Sequence, residues 1–232
     1  MAEKLGSAVL VHGLWGNPED WQWVVQLLER RGVQVRAPDL PSHSSTTHGL
    51  ADDAEAVGRE IRSCQSPVVA VGWSYGGDVI SMAAVGEPSV CQLVYVSTVP
   101  RPRTNERFDV SWLENDPHIH FSADGSYVLD NDLWLNEDAV KTFPSDVLAH
   151  LRQHPRRAVS PGVDDPQTEA AWESIPTTVI IGSADELISD DDRARASKHF
   201  VDVQILPTDH FVIFRHPDAV SDAVIHALES FR

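Results

Sequence analysis

Six short apolar runs recur along the chain, "SAVLVHG", "VQVRAPD", "VVAVGWS", "QLVYVST", "TTVIIGS" and "VDVQILP", at residues 7–13, 33–39, 68–74, 92–98, 177–183 and 201–207. They are rich in β-branched residues and lack polar alternation, the pattern of strands buried on both faces of a sheet. Segments of helical period separate them. In "NPEDWQWVVQLLERRG", Asn17 suits a cap, Pro18 the first helical position, Glu19 and Asp20 the positive end of the helix dipole, and Gly32 the stop. Further on, Leu50, Ala54, Val57 and Ile61 form one stripe, and Val79, Ile80, Ala83 and Ala84 follow a helix start at Gly76. A last helix opens at Pro217 and carries Ala219, Val220, Ala223, Val224, Ala227, Leu228 and Phe231 in paired rows. This alternation predicts an α/β chain with a doubly wound, mostly parallel sheet of about six strands flanked by helices.

The alternation lapses from residue 101 to 169, where the chain turns polar and proline-dotted. "FSADGSYVLDNDLW" reads as a hairpin around Asp124 and Gly125, and "PSDVLAHLRQHP" as a helix. Trp112, Trp134, Leu135, Phe143, Val147, Leu148 and Leu151 need apolar partners, which argues against a disordered linker. Residues 101–169 are therefore expected to form a small cap inserted over the sheet, within a single domain spanning 1–232.

Composition narrows the function classes. A chain of 232 residues with 42% hydrophobic content can bury a full core in one domain. Its 35 acids against 18 bases, a net charge of −17, repel phosphate backbones and anionic lipid surfaces, so neither nucleic acid nor membrane is an expected partner. Two cysteines, Cys64 and Cys91, give no disulfide framework, and the first apolar run is too short for a signal-peptide core or a membrane span. The expectation is a cytoplasmic protein acting on a small molecule; nothing in the sequence encodes its oligomeric state.

The chemistry concentrates at "VVAVGWSYGG". Gly72, Ser74 and Gly76 make a GxSxG pattern between a buried strand and a helix, where the glycines permit a sharp, strained turn that exposes the serine. Ser74 is the candidate nucleophile. A serine hydroxyl needs a histidine base and a carboxylate that fixes the imidazole, in the chain order Ser, acid, His. Of the eleven histidines, His210 follows the last predicted strand, at the sheet edge where doubly wound folds bind ligands. His199, His216 and His226 read as surface or capping residues. Asp185 stands just after the preceding strand. Its rivals Asp190, Asp191 and Asp192 are explained by a helix capped by Ser189 with an acidic first turn, and Asp209 is too close to His210 in sequence to fold onto its ring. The oxyanion hole is expected from the backbone N–H groups of Tyr75 and of Leu14 in "HGLWG", with His12 organising that loop. Trp15, Trp73, Trp134 and Phe211 are candidate lining residues of an apolar substrate pocket. His118 and His120 in "PHIHF" share a strand face but lack a third ligand, so no metal is expected, and the triad chemistry calls for no organic cofactor.

The stretches "VLVHGLWGNPEDWQWV", "VRAPDLPSH", "VGWSYGG", "LVYVSTVPR", "AWESIPTTVIIGSADELIS" and "TDHFVIFRHPDAV" resemble the α/β-hydrolase fold superfamily, in particular the small esterases related to plant methylesterases and hydroxynitrile lyases. The resemblance covers nearly the whole chain. It implies Ser74, Asp185 and His210 as triad, Leu14 and Tyr75 as oxyanion donors, and the inserted region as the cap that forms the substrate pocket. The lyases carry a threonine directly after the first motif histidine and a lysine directly after the catalytic one; Gly13 and Phe211 occupy those positions here, which speaks against lyase activity.

The leading expectation is a carboxylesterase-like serine hydrolase that cleaves a small, hydrophobic ester through an acyl-enzyme. A thioesterase or lactonase with the same triad, a lyase or cofactor-free oxygenase using His210 as base, and a triad-bearing ligand receptor are the alternatives.

Overall fold

All six apolar runs form strands, because a backbone buried on both sides must pair its N–H and C=O groups within a sheet. The computed structural model describes residues 5–131, 135 and 141–231. Strands β1 (Gly6–Val11), β2 (Val33–Arg36), β3 (Val68–Trp73), β4 (Val90–Val96), β7 (Thr177–Gly182) and β8 (Asp202–Leu206) make one sheet in the order β2-β1-β3-β4-β7-β8. Every neighbouring pair in it is parallel. Of the four inner strands, β1, β3 and β7 are almost wholly buried and β4 is so over its carboxyl-terminal half, whereas the edge strands β2 and β8 are partly exposed, since an edge strand has a neighbour on one side only.

Residue parity divides the core between the two faces. Val9, Val11, Val68 and Ala70 face α2 (Leu50–Ser63) and α3 (Gly76–Ala83) through Ala54, Val57, Ile61, Val79 and Ile80. Ala8, Leu10, Val69, Val71 and Trp73 face α1 (Gln22–Arg30) and the last helix through Val24, Leu28, Val220, Val224 and Leu228. The first helix departs from expectation at its start: residues Pro18–Trp21 form a 3-10 turn, the Asn17 side-chain oxygen is buried without a partner, and Asp20 Oδ2 instead accepts from Asn17 N at 3.1 Å.

Between β4 and β7 the chain leaves the sheet. It forms a 3-10 turn (Ser111–Asn115), an antiparallel hairpin of β5 (Ile119–Phe121) and β6 (Tyr127–Leu129), and helix α4 (Ser145–Gln153). Phe143, Val147, Leu148 and Leu151 join the core on the α1 side, while Trp112, expected to be packed, is about half exposed. The segment lies over the carboxyl edge of the sheet: Ser160 N donates to Ser42 O and Leu50 N to Gly162 O, both at 2.9 Å. After β7 come α5 (Asp190–His199), capped by Ser189 Oγ as expected, then β8, the short α6 (Val212–Arg215) and α7 (Pro217–Ser230). Phe231 falls beyond the last helix and is exposed. No described helix is long and apolar enough to cross a membrane.

Candidate active site

β3 ends at Trp73 and α3 begins at Gly76, so the chain reverses direction within two residues. Ser74 takes a φ of 53°, a left-handed conformation that residues with a Cβ rarely adopt. The reversal is this tight because its flanks have no side chains: a Cβ on Gly72 would lie 2.3 Å from Gly76 O, and one on Gly76 would lie 2.3 Å from Val11 O. Ser74 N donates to Val96 O and Gly77 N to Ser74 O, both at 2.9 Å, which locks the elbow at the carboxyl edge of the central strands.

Two strands away, Asp185 sits buried in the loop after β7. His210 Nδ1 lies 2.9 Å from Asp185 Oδ2, while Asp185 Oδ1 accepts from Leu187 N at 3.0 Å. The loop itself is pinned by Arg193, whose Nη2 donates to Asp185 O at 2.7 Å and whose Nη1 donates to Gly182 O at 2.8 Å. The chain bearing His210 crosses directly over the end of β7, where a Cβ on Gly182 would lie 2.3 Å from Thr208 O. Trp73, the neighbour of Ser74, donates from Nε1 to His210 O at 3.1 Å, with the two rings 5.9 Å apart. The elbow and the Asp185–His210 pair therefore share one sheet edge. Among the described residues, the Ser74 hydroxyl and His210 Nε2 form no hydrogen bond with each other.

The loop after β1 closes on the elbow: a Cβ on Gly13 would be 3.2 Å from that of Ser74. Among the described residues, neither Leu14 N nor Tyr75 N donates a hydrogen bond, so two backbone donors next to Ser74 are unspent. His12 braces this loop from behind, as expected. It is buried, with Nδ1 3.0 Å from Gly13 O, and Nε2 accepts from Leu40 N at 3.3 Å. Tyr75 is anchored through its hydroxyl, which donates to Asp53 Oδ2 at 2.7 Å. Asp53 also accepts from Ser42 N at 2.9 Å and Ser42 Oγ at 2.6 Å; burial pushes its carboxyl above the usual range despite those donors.

Of the four candidate lining residues, Trp15 and Phe211 are partly exposed near the site; Trp15 packs edge-on against Tyr127 with ring centres 6.1 Å apart, and Phe211 against Phe143 at 5.3 Å. Trp73 corrects the expectation. It is 1% exposed and supports the His210 loop from below, because strand parity turns it into the core beside Val69 and Val71. Trp134 lies outside the described residues. His118 and His120 are exposed on one side of β5, and no group of three metal-ligating side chains occurs among the described residues.

Two contributors were invisible to sequence reading. Asp53 stands in the first turn of α2 and Arg193 in α5, where no local signal points to a site; only the fold brings them to Tyr75 and Asp185.

Residues 8–223 match the model of the alpha/beta hydrolase family. Over 96 residues the chain is 35% identical to the pimeloyl-[acyl-carrier protein] methyl ester esterase of Aliivibrio salmonicida (strain LFI1238), an alignment spanning 40% of this chain and 36% of that relative. Among solved structures, a pyrethroid hydrolase from Sphingobium faniae JZ-2 superposes with a TM-score of 0.71 at 21% identity, over 97% of each chain. Tomato methylketone synthase I superposes with a TM-score of 0.78 at 16% identity, over 100% of each. With a family match that spans the sheet from its first strand to its last helix, the chain belongs to the alpha/beta hydrolase family.

Proposed function

We propose that this protein is a serine carboxylesterase that cleaves a small ester through an acyl-enzyme, with Ser74 as nucleophile, His210 as base and Asp185 as the carboxylate that orients it. The observation that carries the reading is the left-handed Ser74 elbow on the same sheet edge as the 2.9 Å Asp185–His210 pair.

In this mechanism Ser74 Oγ attacks the ester carbonyl carbon while His210 Nε2 takes the hydroxyl proton. The carbonyl oxygen becomes an oxyanion, and the unspent N–H groups of Leu14 and Tyr75 are its donors. His210 then returns the proton to the departing alcohol, and a water activated by the same imidazole releases the acid and restores Ser74. Attack needs a hydrogen bond from Oγ to Nε2, and catalytic hydrogen bonds of this kind commonly tighten in the complex with substrate. The segment 101–169 acts as the cap, and the partly exposed Leu14, Trp15 and Phe211 favour an apolar acyl or alkoxy group. A relative named for a methyl ester and a neighbour named for pyrethroids support an ester of modest size. The free thiols Cys64 and Cys91 support action in the reducing cytoplasm.

Turnover of 4-nitrophenyl acetate tests the reading. It is expected to fall at least about 1000-fold in both Ser74→Ala and His210→Ala. Activity toward any substrate that survives Ser74→Ala but not His210→Ala would instead identify a non-hydrolytic reaction with His210 as base.

A further inference from the structure

The residues 14–16 that supply the proposed oxyanion donor do not hold their own shape. Trp15 has a φ of 59°, a conformation that a β-substituted residue keeps only where its surroundings over-determine it. Within the loop the one backbone bond is Gly16 N to Gly13 O, at 3.2 Å. The remaining ties come from a residue 141 positions away, at the far end of the inserted segment. Arg157 N donates to Trp15 O at 3.0 Å. Its guanidinium donates twice to Gly16 O, from Nε at 3.0 Å and Nη2 at 2.8 Å. The same group forms a two-point pair with Asp39, Nη1 to Oδ2 at 3.0 Å and Nη2 to Oδ1 at 2.6 Å, and Asp39 Oδ1 lies 3.5 Å from Nε2 of the brace residue His12.

Its neighbour Arg156 grips the other end of the same stretch. Buried Arg156 donates from Nη1 to Asp20 Oδ2 at 3.0 Å and from Nη2 to Asp20 Oδ1 at 3.1 Å, and Asp20 in turn accepts from Asn17 N. Two consecutive arginines thus fasten residues 15–20 at both ends. Arg157 N on Trp15 O sets the plane of the Trp15–Gly16 peptide, whose Gly16 N–H donates to Gly13 O, the carbonyl of the peptide that carries the Leu14 N–H. The guanidinium on Gly16 O holds the next peptide and, through Asp39, reaches His12, whose Nδ1 lies 3.0 Å from Gly13 O.

We infer that Arg157 is the positioning residue of the oxyanion hole: seating of the inserted segment on the body, through Arg157 on Trp15 O, Gly16 O and Asp39, aims the Leu14 N–H at the developing oxyanion. This rests on the esterase reading above. The guanidinium matters for its geometry as well as its charge, because a lysine ammonium cannot serve a carbonyl and both oxygens of a carboxylate from one planar fork. Arg157 touches no substrate atom in this scheme. It acts on the transition state through the loop, so its loss belongs in kcat more than in KM.

The test compares 4-nitrophenyl acetate with its thionoester, in which C=S replaces C=O. Sulfur is larger and a weaker acceptor, so the thionoester draws little from an oxyanion hole. Loss of the hole therefore lowers the oxygen ester's rate selectively, whereas general damage lowers both. Arg157→Ala is expected to reduce kcat for the oxygen ester by about 10- to 100-fold with KM within about threefold, and to shrink the ester-to-thionoester ratio of kcat/KM by about 10-fold. Arg157→Lys, which keeps the charge and guards against a folding failure of the alanine variant, is expected to fall between wild type and Arg157→Ala in that ratio. An unchanged ratio in a folded Arg157→Ala, or in Arg157→Lys should the alanine variant not fold, overturns the inference. Ser74→Ala on the same acetate separates the two claims: if that variant keeps turnover, the esterase reading falls and this inference with it. If it loses turnover while the Arg157 ratios stay put, only the inference falls.

Discussion

The segment laid over the sheet is held by directional contacts as well as by the apolar burial that fixes the sheet. The sheet is fixed by apolar burial, with Leu10, Val71 and Ile180 wholly inside and no charge among them. The segment 101–169 also buries apolar groups in both cores, Leu113, Val159 and Val163 on one face and Phe143, Val147 and Leu151 on the other, and adds directional ionic and polar contacts to them. Asp20 receives His150 Nε2 at 3.0 Å and the fork of Arg156, Arg157 reaches Gly16 and Asp39, and within the segment the Tyr127 hydroxyl donates to Asp164 at 3.0 and 3.2 Å. Burial of carbon is non-directional and tolerates small shifts; a two-point arginine pair does not. The scaffold thus supplies stability, and the polar seam supplies the aim of the loops around Ser74.

The sharpest way to break this contrast is a cut in the sheet. Leu10→Ala should cost about 3–4 kcal/mol, read from the urea midpoint, and leave the pH dependence of stability unchanged. A change in the acid branch would mean that the two regions are not separable in this way. Next in size is Asp20→Asn, which leaves buried Arg156 without its counter-charge and should cost about 3 kcal/mol at pH 7. Burial alone would raise the Asp20 carboxyl, yet hydrogen bonds from His150 and Arg156 with the Arg156 charge outweigh it and hold the group at about 2. A folded value below the unfolded one stabilises the protein above about pH 4, and that contribution drains away as pH falls toward 2. Urea titrations across that window should show the loss in the wild type and a flatter profile in Asp20→Asn.

Asp164 tests the seam with the opposite sign and the smallest effect. Burial raises its carboxyl to about 6, against the pull of the Tyr127 hydroxyl and Arg107. Because the folded value lies above the unfolded one, its contribution is complete below about pH 4 and is lost as pH rises through 6. Asp164→Asn should remove that decline, a gain of about 2 kcal/mol relative to wild type between pH 4 and pH 7 in thermal melts. A parallel pair of melting curves across that range would contradict the assignment.

The same contrast explains what was legible in the sequence. Every sheet strand was: the inner ones through the continuous apolar run that burial on both faces leaves, the edge strands β2 and β8 through their β-branched residues. The elbow was too, since the clash that demands Gly72 lies only four residues on, at Gly76. Asp185 and His210 could be read from their places after the last two sheet strands. The polar seam could not. Asp20 had a sufficient local explanation as a first-turn acid, which hid its role as the buried partner of residues 130 and 136 positions away. Nothing local in "PRRAV" marks Gly16 as the acceptor of Arg157. Trp73 was a readable miss: counting parity from Val69 and Val71 puts it on the core side, whereas its nearness to Ser74 suggested a pocket.

In the proposed mechanism Ser74 is made reactive by His210. Exposure to a fluorophosphonate, followed by peptide mapping, measures that without knowledge of the substrate. One adduct is expected, on Ser74, formed at least about 100-fold more slowly in His210→Ala. An adduct on another residue, or equal labelling of Ser74 without the imidazole, would contradict that mechanism.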